Sequence, residues 1–285
     1  DTRDAAIELL PDAVAHKFHL FVFDAVEMLL TVNEEGQYSH LVLRDVLDKY
    51  QYLGKQERAF LTRLMEGTLE RQLTLDYVID QFSKTRVKKM KPLIRNLMRM
   101  SVYQIMYMDS VPDSAVCNEA VKLAVKRHFQ GLKGFVNGVL RNLIRQPEKY
   151  AMPTGNKASE LAIREQHPLW LVKKFIHTFG SEAAIKLCQF NNTNAPLVLR
   201  TNTLKTTRQE LITELINAGC EVIPSKLAPE GIICKTHTSL NQLAPLQNGF
   251  AQVQDESSML VAHVVDPKPR SEERRVGKEC RSRWS

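Results

Sequence analysis

Lys133, Asn137, Arg141 and Arg145 stand four residues apart. On a helix that spacing stacks side chains along one face, each a turn above the last. Val136, Val139 and Leu143 fall on the opposite face, so the segment reads as an inward apolar stripe with an outward polar one. Lys122 and Lys126 repeat the spacing on the segment before, and Arg127 follows them. No Asp or Glu occurs between Ala120 and Gln146. A second acid-free run holds Lys84, Arg86, Lys88, Lys89, Lys91, Arg95 and Arg99. Solvated helix faces usually mix signs, because carboxylates pair with cations one turn away. Acid-free faces instead suit phosphates, each of which releases counterions when neutralised. Arginine adds a planar fork that grips phosphate oxygens in pairs. The chemistry predicted here is nucleic-acid binding; the plain alternative is a basic exterior with no partner.

Other chemistries find less support. The cysteines are Cys117, Cys188, Cys220, Cys234 and Cys280, an odd and scattered set without a Cys-x-x-Cys pair. They read as reduced thiols, and a zinc site lacks its spacing, so no metal is expected. No run of 18 apolar residues exists, and Asp24 and Glu27 interrupt the most apolar early stretch, Phe18 to Leu30. Neither a membrane span nor a signal peptide is expected. The net charge of +7 weakly favours polyanions, but six Arg and Lys against three Glu sit in the last stretch, Arg270 to Ser285.

The elements that position these residues follow from periodicity. From Phe21 to Tyr150 apolar residues recur with a helical period, and about six helices there predict a compact all-α domain. Gly134 and Gly138, four apart in the last helix, predict a close helix–helix approach. Pro147 to Ser159 is a polar linker. His167-Pro168-Leu169-Trp170 then enters a helix. Trp170 at that entry reads as core, with base stacking as the alternative. Leu197 to Asn202, Glu221 to Pro224 and Gly231 to Cys234 read as short strands of a small α/β module. Thr206 and Gln209 form a capping box for a helix that Gly219 ends, and Ser239 to Leu243 reads as a helical turn. Arg200 and Asn202 at the end of the first strand suit RNA contact or the fold equally.

Phe250 to Pro269 reads as a strand followed by a helix. Asp255 and Ser257 supply helix-start oxygens, and Asp266-Pro267 stops the helix. In an open α/β domain a strand with a Gly-rich loop should follow. Arg270 to Ser285 is neither, and it is similar to translated vector sequence.

The Val111-Pro112 loop, Asn118-Glu119-Ala120-Val121 and Gly134-Phe135-Val136-Asn137-Gly138-Val139-Leu140-Arg141 together resemble the NusB-like RNA-binding domain. His167-Pro168-Leu169-Trp170, Leu199-Arg200-Thr201-Asn202 and Gln254-Asp255-Glu256-Ser257-Ser258 follow it in order. That succession resembles the bacterial 16S rRNA cytosine-C5 methyltransferases of the Sun/Fmu family. The resemblance implies a multidomain protein: an all-α NusB-like domain, a small α/β module, and the first elements of a Rossmann-like methyltransferase domain. The expected divisions are 1–20, an N-terminal extension; 21–147, the helical domain; 148–160, a linker; 161–248, an RNA-positioning module; 249–269, the start of the methyltransferase domain; and 270–285, an artefactual tail. Asp1 to Leu10 and Phe23 to Val32 both resemble the family's opening helix, so one is surplus and Pro11 to Leu20 reads as an insertion or a mis-joined start.

The resemblance also implies the chemistry. In such enzymes a cysteine thiolate adds to carbon 6 of cytosine, and carbon 5 then attacks the methyl of S-adenosyl-L-methionine. The family's Gly-rich cofactor run and its Pro-Cys and Thr-Cys contexts are missing from this chain. No catalytic, cofactor-binding or metal residue is therefore assigned, and this fragment alone is expected to be inactive and not to bind the cofactor. The candidate RNA-binding residues are Arg86, Lys88, Lys89, Lys91, Arg95, Lys122, Lys126, Arg127, Lys133, Asn137, Arg141, Arg145, Arg200 and Asn202. Ribosomal RNA is the expected partner, with a cytoplasmic location, no membrane and a monomeric state. The competing expectation is a stand-alone NusB-like adaptor in transcription antitermination.

Overall fold

The computed structural model describes residues 12–50, 52–193, 195–236 and 243–266. The tail, Cys280 and most of the turn expected at Ser239 to Leu243 lie outside them. The chain divides into two compact units, 1–192 and 193–285.

The first unit is helical. Its elements are α1 (Asp12–Asn33), α2 (Ser39–Lys49), α3 (Lys55–Glu70), α4 (Gln72–Phe82), α5 (Pro92–Tyr107), α6 (Asp113–Lys126), α7 (Lys133–Arg145), α8 (Ala158–Arg164), α9 (Leu169–Phe179) and α10 (Ser181–Asn191). α1 begins at Asp12 and runs unbroken, with Phe21, Val22, Ala25, Val26, Met28 and Leu29 buried. Residues 12–20 are thus continuous with the opening helix.

α5 is the axis of this unit. Pro92 occupies its first turn, where a missing N–H costs nothing. From Ile94 to Gln104 all but Arg95 are buried, and α1, α3, α4, α6 and α7 pack around it. A helix buried on every side keeps no solvated face for charge. Its arginines are accordingly answered from other helices. Arg99 donates Nε and Nη2 to the two oxygens of Asp76, both at 2.7 Å. Arg95 Nη2 reaches Glu34 Oε2 at 2.6 Å, and this bond holds the Glu34 carboxyl below its ordinary range. Asn96, fully buried, accepts from Asn33 Nδ2 at 2.7 Å and donates to Glu34 Oε1 at 3.2 Å. Two members of the expected cationic surface, Arg95 and Arg99, are therefore fastened into the fold.

The close helix approach is also elsewhere than the spacing implied. A Cβ on Gly134 or Gly138 would meet nothing within 4 Å, and both glycines are exposed. Gly67 of α3 is the tight position: a Cβ there would collide with the phenol of Tyr103 on α5, itself buried. After α7, α8 joins the same unit by packing on α4, where Thr74 Oγ1 donates to the Ile163 carbonyl at 3.0 Å. The division between units thus falls inside the stretch 161–248 that sequence grouped together.

The second unit holds β1 (Leu197–Thr201), α11 (Arg208–Asn217), β2 (Glu221–Pro224), β3 (Gly231–Thr236), α12 (Ala244–Gln247), β4 (Ala251–Val253) and α13 (Glu256–Val265). Its sheet has the order β2-β3-β1-β4, every pair antiparallel. Side chains alternate across it: Leu199, Ile232 and Cys234 meet Leu211 and Leu215 of α11, while Val198 and Ile233 meet Met259 of α13. Gly219 takes φ 83° after α11, a left-handed position that glycine adopts without a Cβ penalty. The capping box is one residue later than expected. Thr207 accepts from Glu210 N, and the Glu210 carboxylate accepts from Thr207 N.

β4 corrects a larger expectation. Arg200 pairs with Gln252 and Thr201 with Ala251 in antiparallel register. The strand thus completes the small sheet and does not open a parallel, doubly wound one. Asp255 does cap α13 as expected, accepting from Ser257 N at 2.8 Å.

Replacing Gly67 with Ala should cost about 1–3 kcal/mol through overpacking. Gly134→Ala and Gly138→Ala should each stabilise by up to about 1 kcal/mol, since exposed helix interiors favour Ala. Denaturant unfolding of the three variants measures both signs, and destabilisation by either α7 substitution would contradict this packing.

Candidate nucleic-acid interface

α6 and α7 lie side by side, and their sequence explains which way each faces. Val136, Val139, Leu140 and Leu143 are buried inward, with Val116, Ala120, Leu123 and Ala124 of α6. Lys133, Arg141 and Arg145 are left exposed, and Asn137 is half-buried among them. Arg141 Nε donates to Asn137 Oδ1 at 2.9 Å, one turn back, so the two polar side chains form a fixed pair.

A groove of about 460 Å³ runs between the two helices. Asn118, Lys122, Lys133, Gly134, Asn137 and Arg141 line it. Arg141 also borders a second hollow of about 280 Å³ with Asp113, Ser114, Cys117 and Arg145. There the Ser114 hydroxyl oxygen is buried with no hydrogen-bond partner among the described residues. Lys133 and Arg145 make no ion pair among the described residues. An arrangement of exposed cations over a concave floor suits phosphate oxygens, with Arg141 able to give paired bonds.

The other α6 cations are partly engaged. Glu119, buried to 6% exposure, takes Lys122 Nζ at 2.7 Å and His19 Nδ1 at 2.6 Å. Lys122 still keeps 66% of its side chain exposed. Lys126 Nζ lies 3.4 Å from His19 Nε2 and sits over the Phe23 ring. Arg127 pairs with Glu27 across α1 and belongs to the fold. Lys126 and Arg127 also border a hollow of about 390 Å³ with Leu30, Pro92 and Leu93. Sequence reasoning missed His19 and Phe23 as supports for these cations, because they lie more than 100 residues upstream of the groups they hold.

The earlier basic run divides. Lys88 and Lys89 sit in a short 3-10 turn, and Lys91 stands just before α5, all three exposed. Arg86 leans on Asp80 at 3.4 Å. In the second unit Arg200 Nη2 donates to Gln252 Oε1 at 3.0 Å. Asn202 donates to the Gly249 carbonyl at 2.9 Å and accepts from Leu204 N. Both Asn202 groups are thus engaged in the turn.

No group of His, Cys, Asp and Glu among the described residues could hold a metal ion. The four described cysteines are buried; burial pushes Cys117 and Cys234 up to about 11 and raises Cys188. A buried thiol kept protonated is a poor nucleophile. No described helix is long and apolar enough to cross a membrane.

Two family models match the chain, and the second begins before the division between the two compact units. Residues 24–145 match the NusB family, and residues 167–241 match the ferredoxin-like domain of RsmF/B-like methyltransferases. The chain is 37% identical over 250 residues to "Probable ribosomal RNA small subunit methyltransferase B" of Bacillus subtilis (strain 168), covering 86% of this chain and 54% of that protein. A protein of the same name from Synechocystis sp. is 32% identical over 243 residues, covering 85% and 54%. The chain thus spans about half the length of the curated relatives it matches. Among solved structures, that of PH0851 superposes with a TM-score of 0.59 at 21% identity, covering 86% of this chain and 56% of the other, which speaks to the fold alone. The chain thus pairs a match to the NusB family over residues 24–145 with a match to the RsmF/B-like ferredoxin-like domain over residues 167–241, and it is similar to ribosomal RNA small subunit methyltransferase B.

Proposed function

We propose that this chain is the RNA-recognition portion of an S-adenosyl-L-methionine-dependent methyltransferase that modifies carbon 5 of a cytosine in small-subunit ribosomal RNA. One observation carries the reading. The exposed cations of α6 and α7 flank a groove with few carboxylates, in a chain whose second matched domain is of the RsmF/B methyltransferase type. Relatives named for small-subunit rRNA methylation support the substrate class. The monomeric state and cytoplasmic location belong to the same proposal.

The chain's own residues hold the RNA; they do not perform the transfer. A cofactor of this kind needs backbone N–H groups bared by glycines where a strand turns into a helix. Between β4 and α13 stand Gln254 and Asp255, and the Asp255 carboxylate itself takes the Ser257 N–H. These residues do not fit S-adenosyl-L-methionine, and no step is assigned to them. The reading as a stand-alone antitermination adaptor leaves α9, α10 and the four-stranded sheet without a purpose, and nothing in the geometry favours it.

RNA binding with salt titration tests the proposal. Arg141→Glu with Lys126→Glu should weaken binding to a small-subunit rRNA fragment. It should also flatten the log-affinity against log-salt slope by about two, one for each phosphate that is no longer neutralised. Unchanged affinity and slope in a folded double variant would overturn it.

A further inference from the structure

The motif His167-Pro168-Leu169-Trp170 divides sharply in the structure. His167 is buried at 8% exposure, with Nδ1 at the Glu165 carbonyl and Nε2 3.3 Å from Asn191 Nδ2 on α10. Its ring also meets Phe175 edge-on. Pro168 then starts α9, accepting from the N–H groups of Leu171 and Val172. With that start pinned, Val172 is fully buried and Phe175 and Ile176 pack inward. Trp170 is thrown the other way and is 67% exposed. The expectation that it is a core residue is corrected.

Trp170 does not stand alone on that face. Lys173, Lys174 and His177 follow at three, four and seven residues, the spacing that places them along the same side of a helix, and none of the three is buried. α9 contains no Asp or Glu. The nearest acids in sequence are engaged, Glu165 with Arg164 and Asn192, and Glu182 with Lys186 at 2.8 Å. The indole makes no ring or cation contact among the described residues. A protein-docking face concentrates apolar groups at its centre and is poor in lysine. Here the large aromatic surface is bracketed one turn on by two lysines. That is the pairing that single-stranded nucleic acid uses: a ring on which a base stacks, with ammonium groups at the flanking phosphates.

We propose that α9 forms a second RNA contact, distinct from the α6–α7 groove, in which an unpaired base stacks on Trp170 while Lys173 and Lys174 hold the adjoining phosphates. The contact distinguishes unpaired RNA from duplex, because a base paired within a helix cannot present its face to the indole. It rests on the RNA-binding reading above and adds to it a preference for single strands.

The chain has two tryptophans, Trp170 and Trp284. In a Trp284→Phe background the emission of the full chain reports Trp170 alone. Single-stranded oligoadenylate of about twelve nucleotides, within the site size of such surfaces, should quench that emission; blunt duplex RNA of equal length should bind without quenching. Trp170→Ala should weaken single-strand binding about tenfold and leave duplex binding unchanged, and Trp170→Phe should restore most of the loss. Arg141→Glu with Lys126→Glu should weaken both ligands, which separates the two contacts. Binding of single strands with no quench and no loss in Trp170→Ala would overturn this proposal and leave the groove reading standing. Failure to bind either RNA would overturn both. A concentration-dependent emission shift without RNA would assign the ring to a protein contact and overturn the stacking role.

Discussion

A helix surrounded on every side by other helices must have each of its charges neutralised from within the protein. α5 is that helix. Arg99 is fixed on both oxygens of Asp76, and Arg95 on Glu34, while Asn96 links the same carboxylate to Asn33. Each pair joins α5 to an element distant in sequence, Asp76 in α4 and Glu34 just after α1. Removing one partner would leave the other charge poorly solvated, so such pairs fix arrangement more surely than they add stability. With α5 set, the inward stripes of α6 and α7 have one place to lie, and their outward faces are determined.

This constraint sorts the cations. Those on or against the core, Arg95, Arg99 and Arg127, are held by carboxylates. Those on the outer side of α7 are not, and they gather around a groove instead of scattering over a surface. The bare backbone at Gly134 and Gly138 lies on that same outer side. The helix gives up stability there without gaining packing, which is the reverse of Gly67, where absence of a side chain lets α3 and α5 meet. On this account the helical unit is a rigid frame whose binding groups are set in advance, so that little ordering accompanies association.

Much of the fold was legible in the sequence because the signal is local. Helical period over Phe21 to Tyr150 pointed to about six helices, and the outward row of Lys133, Asn137, Arg141 and Arg145 followed from spacing alone. What escaped was non-local. An acid-free run looks unneutralised until Glu34 and Asp76 arrive from 61 and 23 residues away. β4 looked like the first strand of a new domain because pairing with β1, some 50 residues earlier, leaves no mark in its own three residues. Gly134 and Gly138 shared a face, but spacing does not say whether that face is covered. Trp170 misled for a similar reason: its place at a helix entry indicated burial, while His167 is fixed beside Asn191 of α10 and the indole faces outward. The capping box differed by a single position because two adjacent threonines offered the same chemistry.

RNA that meets the outer side of α6 and α7, while the α5 charges serve the core, must leave its footprint on those two helices. Hydrogen–deuterium exchange of the full chain with and without a small-subunit rRNA fragment measures this directly. Exchange should slow within residues 113–145 on adding RNA and stay unchanged in α2 and α3. Protection confined to α2 and α3, or none in α6 and α7 when RNA is bound, would contradict it.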